Sequence, residues 1–191
     1  MRVLVVDESP ERAELLREGL LHAGHEVTAT LSSPLALLKT IDELKPDVIV
    51  IDMESPSRDV LEHLVFVSQH TPRPVVMFAQ DGAPETIRAA TRAGVSAYVV
   101  DGLDKNRIEA IIEAAVARFD QYQSLRAQLA EANLKLSERK LVERAKGLLM
   151  KSRGLDEQAA YSSLRKMAMD RKLRLAEVAQ RIVDAADLLG A

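Results

Sequence analysis

The chain has 191 residues, 47% of them hydrophobic and 29% charged, with a formal net charge of −3. That is the balance of a globular protein large enough for one domain or two smaller ones. No apolar run nears the roughly 20 residues of a membrane span and no signal-peptide pattern opens the chain, so no membrane partner and a cytoplasmic location are expected. Zero cysteines exclude disulfides, Cys-ligated zinc and thiol catalysis, and four scattered histidines without a metal-binding spacing argue against a zinc enzyme.

Charge is unevenly distributed. Residues 1–120 carry 12 Lys and Arg against 20 Asp and Glu, whereas residues 121–191 carry 14 against 9. An acidic segment joined to a basic one predicts two functions, the second facing a polyanion.

In the acidic segment Val3 to Val6 is a short apolar run ending in Asp7 and Glu8, the pattern of a buried parallel strand with acids at its carboxyl end. A helical period follows from Pro10 to Ala23 and stops at Gly24. Glu26 to Leu31 reads as strand and Pro34 to Leu44 as helix, and Val48 to Ile51 then repeats the first pattern, delivering Asp52. Helix is predicted for Asp59 to Gln69, strand for Val75 to Ala79, helix for Glu85 to Ala93, strand for Ala97 to Val100, and helix from Lys105 onward. Five strands alternating with helices predict a doubly wound α/β sheet, whose sites form outside the carboxyl ends of the strands. Asp7, Glu8 and Asp52 then lie together. Crowded carboxylates suit Mg²⁺, and a lone Asp among them is a candidate phosphoryl acceptor; the plainer alternative is that they cap loops.

These residues resemble a two-component receiver domain over residues 1–120. The resemblance makes Asp7 and Glu8 the metal-binding acidic pair, Asp52 the phosphoacceptor and Tyr98 the aromatic switch on the fifth strand. Two positions depart from the pattern. Ala79 stands where the fourth strand should end in Thr or Ser, and Asp101 and Gly102 stand where Lys and Pro should follow the fifth. A carboxylate at Asp101 cannot donate to a phosphoryl oxygen and repels it. The expectation is a degenerate receiver that signals poorly, or not at all, through aspartyl phosphate. Asp52 is then a residual or Mg²⁺-binding carboxylate, and no cofactor is required.

From Ile108 the apolar positions Ile108, Ile111, Ala115, Tyr122, Leu125, Leu129, Ala132 and Leu136 mark about four heptads, with no proline or glycine between Lys105 and Arg144. One long helix is predicted, with residues 108–136 as a coiled-coil linker and Tyr122, Leu125, Leu129, Ala132 and Leu136 as the seam of a parallel homodimer. The alternative is a helix packed on its own domain.

The same helix runs on through Arg139 to Arg153. Leu141, Val142, Ala145, Leu148 and Leu149 cover about 120° of it, while Lys140, Arg144, Gly147 and Lys151 fall within about 60° on a neighbouring side. Glycine costs a helix interior roughly 1 kcal/mol relative to alanine, so Gly147 calls for either close approach of a phosphate backbone or close packing of a helix. Gly154 ends the helix and Asp156 caps the next, whose apolar face is Ala160, Leu164, Met167 and Ala168; Leu175, Val178, Ala179, Ile182, Val183 and Ala186 face inward from a last one. Arg165, Lys166, Arg171 and Lys172 extend the positive patch of the resulting all-α three-helix bundle. Tyr161 is its one aromatic residue, either a stacking group or a core residue.

Ala145 to Met150, then Gly154, Ala159 to Tyr161, Leu164 and Arg165, Ala168 and Met169, and Val178 and Ala179 resemble the ANTAR domain, within residues 137–191. That resemblance implies a dimeric, non-catalytic transcription antiterminator that binds hairpins in leader RNA. It makes Lys140, Arg144, Lys146, Gly147, Lys151, Tyr161, Arg165, Lys166, Arg171 and Lys172 the RNA-facing candidates. Ile51 to Val60 and Gly94 to Gly102 are further similar to NasT-type nitrate/nitrite-assimilation antiterminators, which implies control by a NasS-type nitrate-sensing protein. The competing reading is a phosphorylation-controlled DNA-binding response regulator, which needs a basic recognition helix; the last helix carries Glu177, Asp184 and Asp187 against Arg181.

Overall fold

The computed structural model describes residues 1–100 and 107–189, apart from the side chains of Leu35 and Leu189. It divides into two compact units, Met1–Gln123 and Ser124–Ala191. Asp101, Gly102 and the expected helix start at Lys105 lie outside the described residues.

The first unit is a five-stranded parallel sheet in the order β2-β1-β3-β4-β5. Its strands are β1 (Arg2–Asp7), β2 (Glu26–Leu31), β3 (Val48–Met53), β4 (Val75–Ala79) and β5 (Ala97–Val100). Between them run α1 (Pro10–His22), α2 (Leu37–Leu44, entered through a 3₁₀ turn at Pro34–Ala36), α3 (Arg58–His70) and α4 (Pro84–Arg92). Period-two alternation feeds both faces. Val3, Val5, Val48, Val50 and Phe78 meet α1 through Leu16 and Leu20. Leu4, Val6, Ile49, Ile51 and Met77 meet Leu37, Ile41, Leu64 and Ala90 on the other face. The parallel register sets Asp7 of β1 directly beside Asp52 of β3, at the place where the strand order reverses.

Helix α5 (Ile108–Arg153) runs unbroken for 46 residues, and its beginning corrects the coiled-coil expectation. Ile108, Ile112 and Ala115 are buried against the sheet with Val3 and Val5, so the first two turns belong to the core of their own domain. The remaining seam residues behave differently. Tyr122, Leu125, Leu129 and Leu136 are 52–62% exposed, and Ala132 is exposed as well.

The second unit is a bundle of the end of α5 with α6 (Glu157–Arg171) and α7 (Leu175–Leu189). Its core is small: Ala145, Leu149, Ala160, Leu164, Ala168, Val178, Ala179 and Val183. Four alanines there let the helix axes come close. Gly154, at φ +65°, stops α5, and Asp156 caps α6 by accepting from the Ala159 amide at 2.7 Å.

Gly94 is the tightest backbone point in the sheet domain. Its φ is +100°, and a Cβ there would lie 2.7 Å from the Ser68 Cβ of α3. Gly94→Ala should therefore destabilise the domain by about 2 kcal/mol or more in urea titrations. Adding Ser68→Gly should recover part of that loss but not the part due to φ.

Candidate functional site

Two chemically opposite surfaces are built by the two units. At the carboxyl ends of β1 and β3, Asp7 is fully covered and Asp52 nearly so, while Glu8 is exposed. Asp7 Oδ1 accepts from the Ser9 amide at 2.7 Å, the bond that turns the chain into α1. Arg12, on the first turn of that helix, reaches back over both carboxylates: Nη2 donates to Asp7 Oδ1 at 3.4 Å and Nε lies 3.7 Å from Asp52 Oδ2. Burial, and then the neighbouring Asp7 charge, hold the Asp52 carboxyl above the usual aspartate range, with Arg12 pulling it down.

The expected Mg²⁺ site does not assemble from these residues. Asp7 Oδ2 is buried without a hydrogen-bond partner, as is the neighbouring Arg12 Nε. Glu8 stands exposed, and among the described residues no three His, Asp or Glu side chains converge to hold a metal ion. The compensating charge is the Arg12 guanidinium. Sequence reading missed Arg12; its signal was a cation on the first turn of the helix that follows the acidic pair.

Ala79 ends β4 and is buried, as its type requires. Two residues later, Asp81 is the polar centre of the loop that follows β4. Its Oδ1 accepts from the Ala83 amide at 2.9 Å, and its Oδ2 accepts from Thr86 Oγ1 and Ser55 Oγ, each at 2.9 Å. The Tyr98 hydroxyl donates to the Asp81 carbonyl at 2.7 Å, and the Gln80 and Asp81 amides both donate to Glu54 O. Loop β4–α4 is thus bound to loop β3–α3 and to the switch-position tyrosine by groups permanent to the chain. The Ala83 amide first, then the Thr86 and Ser55 hydroxyls, hold the Asp81 carboxyl below its ordinary range. Asp81 was also missed, although an Asp followed by Gly82 and Pro84 is a turn and helix-start signal.

On the bundle, Lys140, Lys151, Arg165, Lys166, Arg171 and Lys172 are exposed and carry no ion pair among the described residues. Lys172 adopts φ +54° to close α6. Arg144 is exposed but engaged by Asp187 of α7 at 2.5 Å. Lys146 needs correction as an RNA-facing residue. It is only 7% exposed, and its ammonium donates to Glu143 at 3.0 Å and Glu157 at 2.8 Å, tying α5 to α6. Those hydrogen bonds hold it above the usual lysine range. Tyr161 is 44% exposed and opens onto a groove of about 450 Å³ beside Arg139, Arg174 and Lys135, so it is not a core residue. A Cβ at Gly147 would meet nothing within 4 Å, which removes helix packing within the chain as the reason for that glycine.

Residues 3–113 match the response regulator receiver domain, and residues 130–183 match the ANTAR domain. The chain belongs to the ANTAR response regulators. It is 29% identical over 187 residues to the transcriptional regulatory protein PdtaR of Mycobacterium tuberculosis, covering 96% of this chain and 89% of that one. A nitrate regulatory protein of Klebsiella oxytoca is 40% identical over 81 residues, which are 42% of this chain and 19% of that protein. The response regulator domain of Thermotoga maritima CheB superposes on the receiver with a TM-score of 0.51 at 26% identity, over 63% of this chain and 96% of that one. Among the described residues no helix is long and apolar enough to cross a membrane.

A carboxyl whose folded pKa is raised favours the folded receiver in acid, and that contribution is lost as pH rises through the folded value. Asp52→Asn removes the ionised form while keeping the shape. Its Tm should exceed that of the wild type by a few degrees at neutral pH, and the gap should close as the pH falls below the range where Asp52 ionises.

Proposed function

We propose that the chain is an RNA-binding transcription antiterminator of nitrate/nitrite assimilation, working as a dimer on leader-RNA hairpins. The observation that carries it is that the ANTAR bundle presents a set of exposed cations without ion pairs among the described residues, together with a half-exposed Tyr161. Lys and Arg hold the phosphates of an RNA, while an aromatic face takes an unstacked loop base. Lys140, Lys151, Arg165, Lys166, Arg171 and Lys172 are the phosphate contacts in this reading, with Arg144 divided between Asp187 and the RNA. Lys146 is structural.

The exposed stripe from Tyr122 to Leu136 supports the dimer, since four large apolar side chains at heptad spacing gain most by meeting a second copy. Control reaches the chain through the receiver from a NasS-type nitrate-sensing protein. The Klebsiella relative supports the nitrate assignment. Arg12 over the acidic pair and the Asp81 clamp support control by a partner in place of phosphorylation. The acidic residues of α7, one of which holds Arg144, count against a DNA recognition helix.

Affinity for a hairpin RNA, matched duplex DNA and scrambled RNA across a salt series tests this. Hairpin RNA should bind best; equal affinity for all three leaves only nonspecific charge attraction and sinks the proposal. Lys151→Ala and Arg165→Ala should each weaken binding several-fold and reduce the salt slope by about 1. Incubation with acetyl phosphate followed by intact mass should leave Asp52 largely unmodified, whereas efficient modification would restore the phosphorylation-controlled reading.

A further inference from the structure

The glycine at position 147 has no explanation inside the chain. It sits in the interior of α5, where glycine destabilises the helix relative to alanine. It is exposed, and an added Cβ would meet no atom within 4 Å. Gly94 is the instructive contrast, since a side chain there would strike Ser68. Whatever Gly147 makes room for is another molecule.

The surroundings say which kind. Lys140, Arg144 and Lys151 share its side of the helix within about 60°, and at a rise of 1.5 Å per residue Arg144 lies about 4.5 Å before it and Lys151 about 6 Å after. Lys140 and Lys151 carry no ion pair among the described residues. A second copy of the chain crossing here would bring the same three cations against each other, which costs energy. The heptad-spaced exposed stripe of α5 has also ended by Leu136, leaving Met150 as the one exposed large apolar side chain among the described residues of the helix beyond it. A polyanion has the opposite balance, with its charge met on both sides of the point of closest approach.

We infer that Gly147 is the place where the sugar–phosphate backbone of a bound RNA passes against α5. The missing Cβ lets the backbone reach van der Waals contact with the helix, and Lys140, Arg144 and Lys151 hold the phosphates on either side. This rests on the RNA-binding reading and assigns its point of closest contact.

Gly147→Ala and Gly147→Leu in the full chain test it, using hairpin RNAs selected on the wild-type protein from a pool with randomised loops. Gly147→Ala should melt at or above the wild-type temperature and keep the wild-type sedimentation coefficient. It should bind the RNA about tenfold more weakly, and Gly147→Leu more weakly still. Because every cation is retained, the salt slope should stay at the wild-type value, unlike that of Lys151→Ala. Wild-type affinity in both variants overturns the inference alone. Loss of binding together with loss of self-association assigns the face to a second copy and also overturns it. Failure of the wild-type chain to select any hairpin overturns the RNA reading itself, and the inference with it.

Discussion

Helix α5 has to bury apolar side chains near both of its ends and cannot break in between. From Ile108 to Lys146 it contains neither proline nor glycine, and its 46 residues, Gly147 included, form one continuous helix. Ile108, Ile112 and Ala115 complete one face of the sheet, while Ala145 and Leu149 lie in the core of the bundle. Between them the large apolar residues are exposed and recur at heptad spacing. A helix that satisfied only its own chain would carry polar residues there. The apolar residues in the middle of α5 are thus not accounted for by the two cores it joins.

Most of the architecture was legible because periodicity reports burial directly. The runs ending in Asp7 and Asp52 could only be buried parallel strands, and the inward faces of α6 and α7 follow from their spacing. The heptad reading went astray at its start for a physical reason. Ile108 and Ala115 satisfy a coiled-coil seam and a sheet-facing stripe equally well, and the buried partner Ile112 lies one residue from the seam position. A period cannot name the surface a stripe will meet.

The polar sites were less legible because they depend on which charges fold onto each other. Arg12 is five residues from Asp7 but forty from Asp52, and only the parallel register of β1 with β3 puts both under one guanidinium. Lys146 looked like one more cation in a basic run. Its ammonium is enclosed because Glu143 lies one turn before it and Glu157 is returned by the Gly154 turn. What distinguishes Lys146 from Lys151 is therefore the presence of two exposed glutamates, one on α5 and one on α6, that close over its ammonium. Lys140, Lys151, Arg165, Lys166, Arg171 and Lys172 carry no ion pair among the described residues, so much of the positive balance of residues 121–191 lies at the surface, where a polyanion can reach it.

The receiver follows the same logic with the sign reversed. In a phosphorylation switch the charge at the strand ends changes, and a hydroxyl follows it. Here the charge of Asp7 and Asp52 is partly offset by Arg12, and the loop that would move is held by Asp81 to Ser55, Thr86 and Tyr98. These groups do not come and go. A conformational equilibrium can be shifted only by something that interacts differently with its two states, and residues permanent to the chain set that equilibrium without changing it in response to a signal. On the proposed reading, that differential interaction has to come from a molecule that binds the receiver from outside. The same receiver begins the helix whose far end carries the exposed cations, so a partner that alters the first turns of α5 acts on an element continuous with Lys140 and Lys151.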